Sequence, residues 1–309
     1  MLSRIAESLF WIGRYVERAD DTARLLDVHV QSLLEDPWAE ENLACRSLLS
    51  VMDCAVPDDD VEVGRAHVLD VLAYDRESPS GIAGAVVATR QNARRAREII
   101  STELWEAVNA TWNQLPAHLH TAQPHDFFHW VRERSAVIAG IVDSATARDE
   151  IWHYLVLGRS IERADMTARL LTTRALAGAS GPDWTTLLRS CGAYESYLRR
   201  YRGQVSDTSA AGFLLIDQLF PRSIVHALGQ AERCLDALEP PSEGASVSAA
   251  RLHLGHARTS LEYSSLEDIL ERLPAKMEIV QRACSAASDA TRARYFPSGA
   301  PTVWVGEAL

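Results

Sequence analysis

The stretch "GRYVERADDTARLL" (Gly13–Leu26) returns as "GRSIERADMTARLL" (Gly158–Leu171), with eleven of fourteen positions identical at one offset of 145 residues. The shared positions include Glu17/Glu162, Arg18/Arg163, Asp20/Asp165 and Arg24/Arg169. Identity of that density at a fixed offset marks an internal duplication. The echo continues downstream: Trp38 and Trp184 follow the two copies at nearly equal distance. "LAYDRESPSGI" (72–82) then aligns with "LLIDQLFPRSI" (214–224), matching Leu72/Leu214, Asp75/Asp217, Pro79/Pro221 and Ile82/Ile224 at an offset of 142. Loop insertions account for the small drift. Two repeats follow, 1–145 and 146–309, sharing one core.

Strand signals are scarce and helical spacing is frequent, so the expected fold is an all-α helical bundle with pseudo-twofold symmetry. Helices are expected over 86–109 and 223–238, each just after the Pro79 or Pro221 turn, with connections at 56–62, 114–126, 178–184 and 239–248. The tail "FPSGAPTVWVGEAL" reads as extended. On a helical wheel at about 100° per residue, Leu9, Ile12, Val16, Ala19, Ala23 and Leu26 form an apolar stripe. Tyr154, Leu157, Ile161, Ala164, Ala168 and Leu171 mirror it. Beside that stripe run Gly13, Glu17, Asp20 and Arg24, repeated as Gly158, Glu162, Asp165 and Arg169. A glycine inside a helix costs roughly 1 kcal/mol relative to alanine, so its presence in both copies predicts a close approach by another backbone or a ligand. A third stripe holds Arg14, Arg18 and Asp21. There the copies differ, because Asp21 becomes Met166, and the two helices must face different surroundings.

Two chemistries compete for the charged edge. Carboxylates and guanidiniums at helical spacing can interlock as a buried ion-pair network across the two helices. On that reading Glu17/Arg24 and Glu162/Arg169 are the inner pairs, while Arg14 and Arg18 sit further out and contribute less. Alternatively Glu17 and Glu162 converge as a general acid and base, with Arg24 and Arg169 holding a carboxylate or developing oxyanion. Arg159 and Arg163 complete the candidate binding set.

Other signals are weaker. Glu150-x-x-His153 has the spacing of a di-iron ligand pair, but its counterparts Ile5 and Ser8 supply no ligands. His118, His120, His125 and His129 cluster without a completing Cys or carboxylate, and His253 with His256 sit one helical turn apart. Arg90, Arg94, Arg95 and Arg97 make a basic stretch. The tryptophans Trp11, Trp105, Trp112, Trp130 and Trp152 are expected as core anchors. No metal site or cofactor is expected: G-x-x-x-x-G-K-[ST], G-x-G-x-x-G and G-x-S-x-G are all absent.

The 309 residues are 47% hydrophobic and 24% charged, a globular composition. Lys+Arg 31 against Asp+Glu 42 gives a net charge of −11, which argues against nucleic acid or an anionic membrane as the main partner. Five widely spaced cysteines (45, 54, 191, 234, 284) fit reduced thiols of a cytoplasmic protein. The opening "MLSRIAESLFWIGRYVERAD" resembles a signal peptide, but Glu7 interrupts its apolar run, and it reads as a folded helix.

"MLSRIAESLFWIGRYVERADDTARLL" and "WHYLVLGRSIERADMTARLL", with "YDRESPSGI" and "FPRSI", resemble the bacterial alpha-E family, a helical domain named for its Glu-Arg motifs. The resemblance covers essentially the whole chain. It implies partnership with circularly permuted ATP-grasp carboxylate–amine ligases, transglutaminase-like peptidases and sometimes a proteasome-related peptidase. The implied role is a helical partner in synthesis or processing of a peptide-like, amide-linked product, binding ligase or product through a Glu/Arg groove. The alternative is an enzyme in its own right, acting on that product with its paired glutamates.

Overall fold

Each copy of the repeated phrase lies in the middle of a long helix of the computed structural model, which describes residues 1–35, 41–119, 123–177, 183–203, 205–239 and 247–296. The first copy is carried by α1 (Ser3–Glu35). There follow α2 (Glu41–Val51), α3 (Arg65–Leu69), a π-helical turn (Asp70–Tyr74), α4 (Ile82–Arg95), α5 (Thr102–His118) and α6 (Pro124–Ala145). The second copy is carried by α7 (Glu150–Ala177). After it come α8 (Trp184–Ser190), α9 (Tyr194–Tyr201), α10 (Asp207–Ile216), α11 (Ile224–Leu238), α12 (Ala249–Glu262), α13 (Leu266–Glu271) and α14 (Leu273–Tyr295). The fold is all-α, with no strand among the described residues. No helix among them is long and apolar enough to cross a membrane.

α1 and α7 pack against each other at the centre. α1 also packs on α4 and α6, which both lie against α5, while α7 packs on α11 and α14, which both lie against α12. The apolar stripe of each central helix is buried as the wheel predicts, and it joins a single hydrophobic cluster running through both halves of the chain. Gly13 and Gly158 explain how close the central pair comes. A Cβ at Gly13 would lie 2.0 Å from the carbonyl oxygen of Leu155, and one at Gly158 would lie 2.0 Å from that of Phe10. The close neighbour is therefore another backbone, and the contact is reciprocal.

Serine caps punctuate the chain. Ser101, Ser206, Ser223, Ser248 and Ser265 each accept a backbone N–H from three residues on, at the start of α5, α10, α11, α12 and α13. The cap at Ser101 corrects the expected helix 86–109. α4 ends at Arg95 and α5 begins afresh at Thr102, because the Ser101 hydroxyl accepts from Leu104 N and starts a new helix axis. The expected connection 114–126 is shorter than foreseen, since α5 runs on to His118 with Pro116 in its last turn, and Pro124 opens α6. The helix expected over 223–238 is present as α11. Trp38, His120, most of the 178–184 and 239–248 connections, and the tail after Phe296 lie outside the described residues.

The tryptophans are not uniformly core. Trp130 and Trp184 are buried, whereas Trp11, Trp105, Trp112 and Trp152 are half-buried with a guanidinium over each ring. Arg90 and Arg97 are spent in this way, on Trp112 and Trp105, so much of the basic stretch has an intramolecular use.

Gly13→Ala should lower the melting temperature even though alanine is the better helix former by roughly 1 kcal/mol. Its methyl cannot fit against the Leu155 carbonyl, and forcing the helices apart costs about 1–3 kcal/mol or more, as for other overpacked contacts. Thermal unfolding of Gly13→Ala beside Gly140→Ala, where nothing lies within 4 Å, checks this: the first should destabilise and the second should not.

Candidate functional site

The close crossing puts each motif glutamate within reach of the opposite helix. Glu17, 3% exposed, accepts from Arg163 Nε at 2.5 Å and is ion-paired with Arg222 Nη2 at 2.8 Å. Glu162, 1% exposed, accepts from Arg14 Nε at 2.6 Å, from Arg18 Nε at 2.5 Å and from Arg18 Nη2 at 3.1 Å. The Glu-Arg pair of one helix is thus bonded to the Glu-Arg pair of the other. Arg18 also donates to the Pro79 carbonyl at 3.3 Å, and Arg14 to Ser288 Oγ at 3.0 Å.

Arg14 and Arg18 are therefore not peripheral, which corrects the expectation that they contribute less. At a crossing this tight, residues one and five positions beyond the glycine reach over the partner helix instead of pointing away from it. Arg24 and Arg169, expected in the inner cross-helix pairs, instead bond along their own helices. Arg24 Nε is 3.0 Å from Asp20, and Arg169 Nε is 2.9 Å from Asp165. Arg169 goes on to the Val51 carbonyl at 3.0 Å. Arg159 adds its charge to the surroundings of Glu17 but spends its hydrogen bonds on a two-pronged pair with Asp143 at 2.9 and 3.0 Å.

Arg222 was not among the sequence candidates. It precedes α11 in a loop shaped by Asp217, whose Oδ1 accepts from Leu219 N and Phe220 N, both at 2.8 Å. Thr167 Oγ1 fixes the Arg222 carbonyl at 3.0 Å. From there the guanidinium serves three buried carboxylates: Glu17, Asp20 (2.5 Å) and Asp21. Glu17, Asp20 and Asp21 converge closely enough to surround a cation, and the cation among them is Arg222. A signal for it was present, because in the repeat aligned at an offset of 142 Arg222 stands opposite Ser80, just as Asp21 stands opposite Met166. The two departures from the repeat are bonded to each other.

Electrostatics follow from burial and saturation. Burial pushes the Glu162 carboxyl up, but Arg14 and Arg18 outweigh it and hold it down at about 2. For Glu17 the same contest, burial against Arg163 and Arg222, also ends below the usual carboxylate range. Asp165 goes the other way, raised by burial that its one partner Arg169 does not offset; its Oδ1 has no hydrogen-bond partner. A carboxylate pinned in its ionised form by two guanidiniums is a poor proton donor and a weak base, so the geometry favours the ion-pair network over acid/base chemistry. The expected Glu/Arg groove is likewise absent at the glutamates, which are sealed between α1 and α7.

The weaker candidates do not gather into one set, although His125 and His129 are stacked with centroids 6.4 Å apart. Glu150 is exposed and pairs with the N-terminal amine at 3.4 Å. His118 stacks on Trp130, His125 bonds Asp27 at 2.6 Å, and His253 and His256 are exposed on α12. The five cysteines are free.

The model of the alpha-E family, described as a predicted alpha-helical domain with a conserved ER motif, matches residues 1–296. The chain belongs to the alpha-E family. Uncharacterized proteins of Mycobacterium bovis and Mycobacterium tuberculosis are similar to it, 27% identical over 278 residues covering 79% of this chain. The match takes in only 30% of those relatives' length. No solved structure matches the chain. In this chain Glu17-Arg18 and Glu162-Arg163 exchange Glu–Arg bonds reciprocally between two helices.

Removing one partner from a buried pair typically costs about 3–5 kcal/mol, and Glu162→Gln and Arg18→Gln should both fall in that range by denaturant unfolding. The pH dependence has a definite sign. Glu162 titrates near 2 in the folded chain and near its ordinary 4.5 when unfolded, so the unfolded state takes up its proton first. Its stabilisation is full above about pH 4.5 and is lost as pH falls towards 2. Acid unfolding of Glu162→Gln should be correspondingly less steep than that of the parent.

Because Asp21 and Arg222 are bonded to each other, Asp21→Met and Arg222→Ser should not add. The double variant, which installs the Met166/Ser80 combination, should be more stable than the sum of the singles by about 0.5–3 kcal/mol. A double-mutant cycle on unfolding free energies reads this directly.

Proposed function

We propose that this chain is a non-catalytic helical partner of an ATP-grasp carboxylate–amine ligase, acting in the synthesis or processing of a peptide-like product. The carrying observation is the saturation of Glu17 and Glu162. Both are buried, and each is paired with two arginines, so the two motif glutamates hold the fold and are not free to act as acid or base. Activity of the pathway then resides in partners, the ligase and a transglutaminase-like peptidase, as the alpha-E resemblance implies. The absence of a nucleotide-binding motif fits a chain whose partner handles ATP. In the mycobacterial relatives the matching stretch is embedded in a much longer protein, an arrangement that leaves room for a partner domain on the same chain. The acidic balance and unpaired thiols fit a cytoplasmic setting without nucleic acid or membrane as partner.

The architecture belongs to the same proposal. We read it as two alpha-E repeats, 1–145 and 146–309, related by a pseudo-twofold axis through the Gly13–Gly158 crossing. In support, α1, α4, α5 and α6 pack among themselves in the same order as α7, α11, α12 and α14. A duplicated, rigid core of this kind presents surfaces to partners without having to rearrange.

Co-purification with the neighbouring ligase, and a rise in ligase turnover when the chain is added, are the expected results. Absence of both at micromolar concentrations overturns the partnership.

A further inference from the structure

The charges around the central crossing do not balance equally on its two sides. Around Glu17, three carboxylates (Glu17, Asp20, Asp21) meet three guanidiniums (Arg24, Arg163, Arg222). Around Glu162, two carboxylates (Glu162, Asp165) meet three guanidiniums (Arg14, Arg18, Arg169). The surplus traces to the outermost pair. Arg159 is neutralised by both oxygens of Asp143, but its counterpart Arg14 reaches Ser288. Ser288 is displaced from Asp143 by 288 − 143 = 145 residues, the offset of the Glu-Arg repeat. A neutral hydroxyl thus stands where the other repeat has a carboxylate.

The surplus opens onto a cavity of about 300 Å³ between α1 and α14, at the lower end of the range for small-molecule sites. Arg14 and Arg292 line it, and both guanidiniums lie over the Trp11 ring, 5.5 and 6.0 Å from its centroid. Trp11 is itself stacked on Tyr15 at 5.2 Å, so the aromatic platform is fixed. Phe10 and Phe296, whose rings are 6.0 Å apart, give the cavity an apolar wall. Asp289 lines it too. Against two arginines, one already shared with Glu162, that carboxylate leaves room for a single negative charge and not for a dianion.

We propose that this cavity binds the free carboxylate of a small organic molecule or peptide end, its charge held by Arg14 and Arg292 and its apolar part against Trp11, Phe10 and Phe296. The carboxylate accepts from the guanidinium forks, which match its geometry, and Ser288 keeps Arg14 oriented without cancelling its charge. This site stands whether or not the ligase partnership holds, because it is a property of the isolated chain.

The test is calorimetric titration of the full chain with N-acetyl-L-leucine, N-acetyl-L-leucinamide and inorganic phosphate. The acid should bind, with the amide and phosphate weaker by roughly tenfold or more, the loss expected when a charge-assisted pair is removed or mismatched. Arg292→Gln, at an exposed position, and Ser288→Asp, which copies the Asp143 arrangement, should each weaken the acid by a similar factor. Melting of Arg292→Gln should change little, since an exposed cation–π contact is weak, so that variant decides the matter even if Ser288→Asp fails to fold. Equal binding of acid and amide, tighter binding of phosphate, indifference to Arg292→Gln, or no saturable binding at millimolar acid would each overturn the proposal.

Discussion

Everything in the centre of this molecule depends on two helix backbones touching where neither has a side chain. With Gly13 against the Leu155 carbonyl and Gly158 against the Phe10 carbonyl, α1 and α7 approach more closely than any pair bearing Cβ atoms at that point could. Closeness changes what the neighbouring positions can reach. Side chains that would lie along the flank of an ordinary helix pair extend over the partner, so Arg14, Arg18 and Arg163 find glutamates on the opposite helix. The approach also shuts water out from the glutamates, and burial is what makes the pairing decisive. A carboxylate moved into such an interior loses several kcal/mol of hydration, and only multiple guanidinium donors in good geometry offset that loss. Glu17 and Glu162 each have two arginine partners; Asp165, with one, is pushed towards its neutral form.

Where the two copies of the repeated phrase and their aligned flanks differ in sequence, the differences come in matched pairs. Asp21 in place of Met166 adds a buried charge to α1, and Arg222 in place of Ser80 supplies its partner. The two depend on each other: Asp21 without Arg222 is a buried carboxylate without its partner, and Arg222 without Asp21 loses one of its three acceptors. At the other flank Arg159 pairs with Asp143 whereas Arg14 meets Ser288, a difference of one carboxylate with no matching difference in cations. The first divergence is closed on itself and reads as structural. The second leaves a charge available, and it does so beside a cavity.

Periodicity made the helices and their buried faces legible: the apolar stripes of α1 and α7 were visible as i, i+3, i+4 spacing, and every residue of both is in the core. The paired glycines were legible too, because a cost incurred twice at one offset requires a reason. Partner choice was not. A helical wheel treats each helix alone, and it placed Arg14 and Arg18 on an outer stripe because it has no information about how closely another axis passes. Arg24 and Arg169 were misassigned for the same reason, their nearest carboxylates being one turn back on their own helices. Arg222 lies on a loop, where no period applies, and only the joint departure of positions 21 and 222 from the repeat pointed to it. The break before Ser101 was missed because the apolar period runs through it; the cap that starts the second helix is a single hydroxyl.

The ion pairs set register rather than supply bulk stability. Apolar residues of similar size could bury as favourably, since desolvating charges consumes most of what their attraction returns. What an apolar seam lacks is a unique alignment: two smooth stripes of leucine and alanine can slide by a turn with little loss. A slide of α7 by one turn would carry Glu162 away from Arg14 and Arg18, and Arg163 away from Glu17, leaving buried charges on both helices without partners. The same slide would bring Cβ atoms against the backbone now facing Gly13 and Gly158. Sterics and electrostatics therefore select one register of the crossing, and the arrangement of α4 and α6 on one side and α11 and α14 on the other follows from it.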